Sequence, residues 1–357
     1  MSVDFWNARI IFKPNKICLF QFLQDRKKFG GGVTYKGIIS VENLLEAWCE
    51  FVKGKRARKD VQEFERNLME NLLGLYARLA GFSYRHKQYQ TFTICDPKTR
   101  RIHKATVADR MLHRAVYRKL YPLFDPTFIA DSFSCRVGKG THKAIDRFQA
   151  VAWKISHNHH QTAWVLKCDI RKFFASIDHR ILLDILYRQL NDEHLRRLLQ
   201  TIIHSFHVQP GKGLPLGNLT SQLFANIYMN EFDQFVKHQL RFKHYIRYAD
   251  DFVFLSKDRC ELESLLPVVR SFLDRQLRLE LHPLKIELRT FSSGVDFLGW
   301  IHFPDHRVLR TTTKRRMLQH LSTDFKEESR QSYLGLLKHG NAKKLQSDII
   351  NSLPPVY

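Results

Sequence analysis

Tyr248-Ala249-Asp250-Asp251-Phe252-Val253-Phe254-Leu255 sets two adjacent acids inside an apolar run rich in β-formers. Like charges so close raise a carboxylate pKa or demand a counter-cation, so folding alone does not favour them. The stretch reads as part of a hairpin over 244–256, yet its turn lacks the Asn-Gly or Asp-Gly that hairpins usually employ. A second segment, Val165-Leu166-Lys167-Cys168-Asp169-Ile170, ends a short apolar strand on an acid. That acid is expected to project from the sheet edge into a cleft. Taken singly, Asp169 would serve equally as a helix cap, and Asp250-Asp251 as a polar turn.

Phosphoryl transfer gives the three carboxylates a common purpose. In-line displacement at an α-phosphate uses two metal ions about 3.5–4 Å apart. Mg²⁺ prefers hard oxygen ligands and accepts few carboxylates, leaving positions for water and phosphate. Asp169 and Asp250 on neighbouring strands are expected to bridge two Mg²⁺ ions, with Mn²⁺ as a substitute. The carbonyl of Ile170 would add a ligand, and Asp251 would ligate weakly or support its neighbour.

The rest of the chain suits a polyanion partner. Lys and Arg number 58 against 35 Asp and Glu, a formal net charge of +23. Cations on phosphates release condensed counterions, which explains such an excess better than a neutral substrate does. The six cysteines form no Cys-x-x-Cys pair, which reads as a reduced, cytoplasmic protein with buried thiols. His157, His159 and His160 cluster, but no second ligand pair stands nearby at helical spacing, which argues against a metal there. No apolar run approaches the roughly 20 residues of a membrane span, and the first residues lack a signal-peptide pattern.

Residues 1–36, with Lys27-Lys28 and Gly30-Gly31-Gly32, read as an N-terminal extension ending in a flexible joint. Ser40 caps a helix carrying Leu44, Leu45, Trp48 and Phe51, followed by a basic turn from Gly54 to Lys59. Val61, Phe64, Leu68, Leu72, Leu75 and Leu79 recur at helical spacing and predict one amphipathic helix. A strand over 89–95 turns at Asp96-Pro97 into Arg100-Arg101-Ile102-His103, and a helix follows over 107–121. Beyond it come strand 164–169, helices 179–190, 193–206, 219–240 and 261–277, and a helical, basic tail after 304.

These segments together resemble reverse transcriptases. Tyr248-Ala249-Asp250-Asp251 resembles their Y-x-D-D box, and Asp169 with Phe173-Phe174 and Ile177-Asp178 their first catalytic motif. Gly213-Leu-Pro-Leu-Gly-Asn-Leu-Thr-Ser-Gln222 is similar to the loop and helix that contact template and nucleotide. Leu281-His-Pro-Leu-Lys285 resembles the following lysine motif, and Phe297-Leu298-Gly299-Trp300 the primer grip. The match in order and spacing spans roughly residues 90–300. Leu216, the segment Ser40–Trp48 and the tail Tyr333–Asn341 further resemble the enzymes of diversity-generating retroelements, a group II intron-like lineage encoded by bacteria, archaea or phages. The extension 1–36 departs from that pattern.

The resemblance implies an α+β, right-hand polymerase fold: fingers with part of the palm over 37–165, a palm with an antiparallel sheet backed by helices over 166–303, and a short helical thumb over 304–357. It implies RNA-directed DNA synthesis on a template RNA and primer with dNTPs, and a small, basic, oligomeric accessory protein. Phe174 would be the steric gate that excludes a ribose 2′-OH. Arg100 and Arg110 would hold the incoming triphosphate, and Lys285 would protonate the leaving pyrophosphate. Gly213 and Gly217 would let the backbone approach template and nucleotide. Arg136 and Gln222 would touch template or primer. Leu216 stands where many retroviral-type enzymes carry Gln, so the lost hydrogen bond to the nascent pair predicts an error-prone enzyme. The rivals are a retron or phage-defence reverse transcriptase, and an RNA-binding scaffold that has lost activity.

Overall fold

The computed structural model describes residues 32–95, 99–323 and 327–351. The expectations for 1–31 and for the Asp96-Pro97 turn fall outside them. The N-terminal part is helical. Helix α1 (Tyr35–Ile39) runs into α2 (Val41–Phe51), whose first turn is capped by the Ser40 hydroxyl accepting from the Asn43 amide, as the sequence suggested. The single amphipathic helix expected over 61–79 is instead two, α3 (Lys59–Arg66) and α4 (Leu68–Ala80). Asn67 breaks it at φ −118°, ψ 42°, and its successors still bury Leu72, Leu75 and Leu79. Heptad-like spacing survives such a break because both pieces face the same core.

Strands β1 (Gln90–Ile94) and β2 (Arg100–Lys104) form an exposed two-stranded antiparallel ribbon. Helix α5 (Val107–Phe124) follows, then α6 (Thr141–Ile155), which the sequence reading passed over. The central sheet has the order β4-β5-β3-β6, with β3 (Trp164–Asp169), β4 (Tyr245–Tyr248), β5 (Asp251–Ser256) and β6 (Glu287–Thr290), all antiparallel. Short α7 (Phe173–Ser176) and helices α8 (His179–Tyr187) and α9 (Glu193–His204) follow β3. Helix α10 (Leu219–Gln234) continues into a π-helical turn at Phe235–Gln239, and α11 (Arg259–Leu277) returns after the hairpin.

Strand alternation sorts the two faces of the sheet. Leu166, Cys168, Phe252 and Phe254 join the large core beneath the helices. Val165, Val253 and Leu255 face the other way, against Phe148 of α6 and Phe297. A further three-stranded sheet, β7 (Val295–Phe297), β8 (Trp300–His302) and β9 (Arg307–Leu309), carries strand structure past residue 304. Helices α12 (Thr311–Thr323), α13 (Glu327–Leu337) and α14 (Lys343–Asn351) then pack their own small core around Met317 and Leu337. They dock through Gly340, where a Cβ would lie 2.0 Å from the Trp300 ring.

The cysteines correct one expectation. Cys49, Cys95, Cys135 and Cys260 are exposed, and only Cys168 of those described is buried. Cys49 sits on the outer face of α2, whose inner face is Leu44, Ala47, Trp48 and Phe51. No described helix is long and apolar enough to cross a membrane.

Candidate active site

Register brings the acids together. In the β3–β5 ladder Asp169 lies directly opposite Asp251, and in the β4–β5 ladder Tyr248 lies opposite Asp251. Ala249 and Asp250 therefore form a two-residue turn. Ala249 takes φ +56° without the help of a glycine, an uncommon conformation for a residue with a Cβ. The Asp250 carbonyl accepts from the Ile170 amide at 3.2 Å, which ties the turn to the end of β3. Like charges directly opposite in a ladder are destabilising, so this sheet end is arranged against folding.

Electrostatics reflects that crowding. Burial pushes the Asp251 carboxyl up to about 7; Asp169, Asp250 and Asp296 add to it and Lys167 opposes. Its Oδ1 is buried without any hydrogen-bond partner. Burial also raises Asp250, with Asp169 adding and the charges of Lys285 and Arg100 pulling the other way. Lys285 donates to Asp169 Oδ1 at 2.9 Å. The lysine expected as a proton donor thus stands at the carboxylates, as their counter-cation.

Three hard oxygen donors beside an orphaned buried carboxylate oxygen fit a divalent ion. Among the described residues, no three His, Cys, Asp or Glu side chains already converge tightly enough to enclose one. Asp169 is turned to Lys285 instead. The ladder makes Asp251, rather than Asp250, the direct neighbour of Asp169, whereas the sequence reading gave Asp250 the larger role. Ile170 is buried at the strand end.

The loop from 213 to 217 is fixed against this centre. The Gly213 amide donates to Ile177 O at 2.8 Å and the Leu214 amide to Phe174 O at 2.7 Å. Phe174 is half-buried beside that loop, while Phe173 is core, as expected. Gly217 takes φ +97°, and a Cβ there would meet Ile102 at 2.8 Å. Gly213, at φ +111°, would press on Val208 in the same way. Leu216 is half-buried and its carbonyl accepts from the His103 amide at 3.0 Å; Asn218 Nδ2 returns a bond to His103 O at 2.8 Å. Gln222 is exposed on the first turn of α10, and Arg100 is exposed on β2.

Other expected site residues lie elsewhere. Arg110 ion-pairs with Asp60 and lies over the Phe51 ring, with 13% of its side chain exposed. Arg136 donates to Asp125, Ile129 O and Ser132 O, with 8% exposed. Both guanidinium forks are committed inside the fold, so neither is retained as a nucleotide or template contact. Phe297 and Trp300 are buried and pack the core. Only Leu298 (φ +53°) and Gly299 (φ +88°), the turn between β7 and β8, present a surface. In the histidine cluster, His159 bonds Ser156 and stacks between Trp153 and Phe291.

The sequence reading missed Arg247. It is fully buried and donates to both carboxylate oxygens of Asp233, at 2.8 and 2.6 Å, and to Ala249 O at 3.1 Å. A lone Arg in the apolar stretch Tyr245-Ile246-Arg247-Tyr248 was the available signal. Tyr248 also accepts from Thr141, which anchors α6 to the same turn.

Acids at the end of an antiparallel sheet, a glycine loop and an exposed basic ribbon define a nucleic-acid polymerase type of site. Residues 86–302 match the family described as reverse transcriptase (RNA-dependent DNA polymerase), and the chain belongs to that family. It is 25% identical over 260 residues to Protein YkfC of Escherichia coli (strain K12), covering 62% of this chain and 66% of that one. It is 22% identical over 282 residues to the group II intron-encoded protein LtrA of Lactococcus lactis subsp. cremoris, covering 59% and 45%. The chain thus spans just under two thirds of the first relative and under half of the second. Similar solved structures include telomerase from Candida albicans, with 12% identity, 76% and 54% coverage and a TM-score of 0.48. A partial Cas6-RT-Cas1–Cas2 complex has 22% identity, 68% and 42% coverage and a TM-score of 0.41. The mixed helix-and-sheet architecture agrees with the right-hand polymerase fold.

Proposed function

We propose that this chain is an RNA-directed DNA polymerase that copies a template RNA into cDNA, and that it serves a diversity-generating retroelement. The carrying observation is the facing of Asp169 and Asp251 across β3–β5, with Asp250 in the adjoining turn. In this reading the N-terminal helices and the β1–β2 ribbon are the fingers, the central sheet is the palm, and α12–α14 are the thumb.

Asp169, Asp250 and Asp251 would hold the divalent ions the family normally uses, Mg²⁺ by preference. Bound there, such ions neutralise charge on the transferring phosphate and lower the pKa of the primer 3′-hydroxyl. Arg100, exposed within electrostatic reach of Asp250, holds the triphosphate. Lys285 neutralises Asp169 in the protein alone; released, its ammonium donates a proton to the departing pyrophosphate. Phe174, pinned through its carbonyl to the 213–217 loop, blocks a 2′-hydroxyl. Leu216 offers the nascent pair an apolar contact in place of a hydrogen bond, which supports an error-prone enzyme. The accessory protein would deliver the template RNA.

Primer extension on an RNA template with dNTPs and Mg²⁺, with any required accessory protein, tests the reading. Wild type should extend and Asp250→Asn should not. Equal inactivity of the two would refute it.

A further inference from the structure

A cluster of cations stands on the N-terminal helices, away from the carboxylates. The turn after α2 carries Lys55 and Arg58. Lys55 Nζ lies 4.6 Å from the centroid of the Phe51 ring and donates to Phe51 O at 2.8 Å. The Arg110 guanidinium lies over the same ring at 5.1 Å. Two cations thus share one aromatic face, where each repels the other. Lys104 and Arg110 share a single carboxylate, Asp60. Arg114 reaches Glu50 only at 3.7 Å, and Arg118 takes the same acid. Among the described residues no carboxylate pairs with Lys55 or Arg58.

The backbone adds to this excess. Helix α3 starts at Lys59 without any side-chain cap, and its N-cap is Arg58 itself, a cation at the positive end of the helix dipole. Amides at an uncapped first turn suit an anionic oxygen. Folding alone would place Ser or Asp at that N-cap. Burial lowers the Lys55 pKa, and the charges of Arg114, Arg58 and Arg110 lower it further, the response expected where positive charge has no nearby anion.

We propose that Lys55, Arg58 and the uncapped start of α3 bind a backbone phosphate of the RNA strand ahead of the site of synthesis. The assignment rests on the polymerase reading above and adds a location to it. Strand β2 sets the distance. It runs from Arg100, near Asp250, to Lys104, beside the cluster. Four steps of roughly 3.3 Å give about 13 Å, or about four stacked nucleotides at roughly 3.4 Å each. A basic accessory protein is the wrong charge for this surface.

Fluorescence anisotropy on the full chain tests it, with primer–template duplexes whose template RNA overhangs by one or by eight nucleotides. Wild type should bind the long overhang about tenfold more tightly. In Lys55→Gln/Arg58→Gln that ratio should fall toward one, and the slope of log affinity against log salt on the long overhang should drop by about 2. Melting temperature and extension of the one-nucleotide overhang should stay at wild-type values. An unchanged ratio and slope in the folded variant would overturn the proposal. So would a raised KM for dNTP with an unchanged ratio, which would assign the cluster to the free triphosphate. Because the binding ratio needs no catalysis, it remains readable if extension fails and the polymerase reading falls.

Discussion

Arg247→Met is expected to cost this protein a large part of its stability. All five N–H donors of Arg247 are used: two on Asp233, and one each on Asn226, Ser132 and Ala249 O. Asp233 is 0% exposed and would keep only the Tyr245 hydroxyl as a partner. Removing one member of a buried ion pair costs about 3–5 kcal/mol, because the other charge stays desolvated and unpaired. Total stability is typically about 5–15 kcal/mol, so the loss should be plain in urea denaturation. Replacing the partner as well, in Arg247→Met/Asp233→Asn, removes the stranded charge and leaves Tyr245 an acceptor. The double variant should regain about 2–3 kcal/mol over the single. Primer extension should not recover with it, since the Ala249 carbonyl still lacks its donor and the acidic turn loses its brace. A single-variant loss below about 1 kcal/mol, or a double variant no more stable than the single, would refute the argument.

Three further expectations concern other parts of the molecule. Gly340→Ala drives a Cβ into Trp300, and overpacking of this kind costs about 1–3 kcal/mol; an unchanged melting temperature would count against the contact. Leu216→Gln should lower misincorporation about fivefold, as about 1 kcal/mol of regained hydrogen bonding implies, while Phe174→Ala should admit ribonucleotides; sequenced cDNA and rNTP extension read these out. Burial holds His113 down to about 3 and His302 to about 4. Both folded values lie below the unfolded value of about 6.5, so their stabilisation is complete above that pH and fades as pH falls toward 4 and 3. The loss at pH 4.5 should be about 2.5 kcal/mol each, and His302→Asn should flatten that acid limb in denaturation midpoints measured against pH.

The catalytic strands were legible because acids break an apolar alternation at strand ends, a pattern with no folding advantage. Ser40 was legible as a cap for an equally local reason. Asn67 was not, because apolar spacing continues through it and only the backbone angles reveal the break. Helix α6 and the β7–β9 sheet escaped notice because short strands and a helix with mixed faces give weak periodicity. Arg110 and Arg136 were misplaced because sequence shows a guanidinium's charge but not which carboxylate or carbonyl claims it. Phe297 and Trp300 illustrate the same limit: a motif names four residues, while burial decides which two reach the surface.

The two hydrogen bonds between His103 and the 216–218 loop have a consequence for comparing relatives. Residue 103 contributes its amide and carbonyl to that seam, not its ring. Any residue but proline can therefore stand there with the coupling intact. Correlated substitution between relatives would leave no trace of a connection that joins the exposed ribbon to the nucleotide loop. Chimeras that exchange the ribbon should be judged by whether the main-chain seam closes, since its side-chain identity carries no information about it.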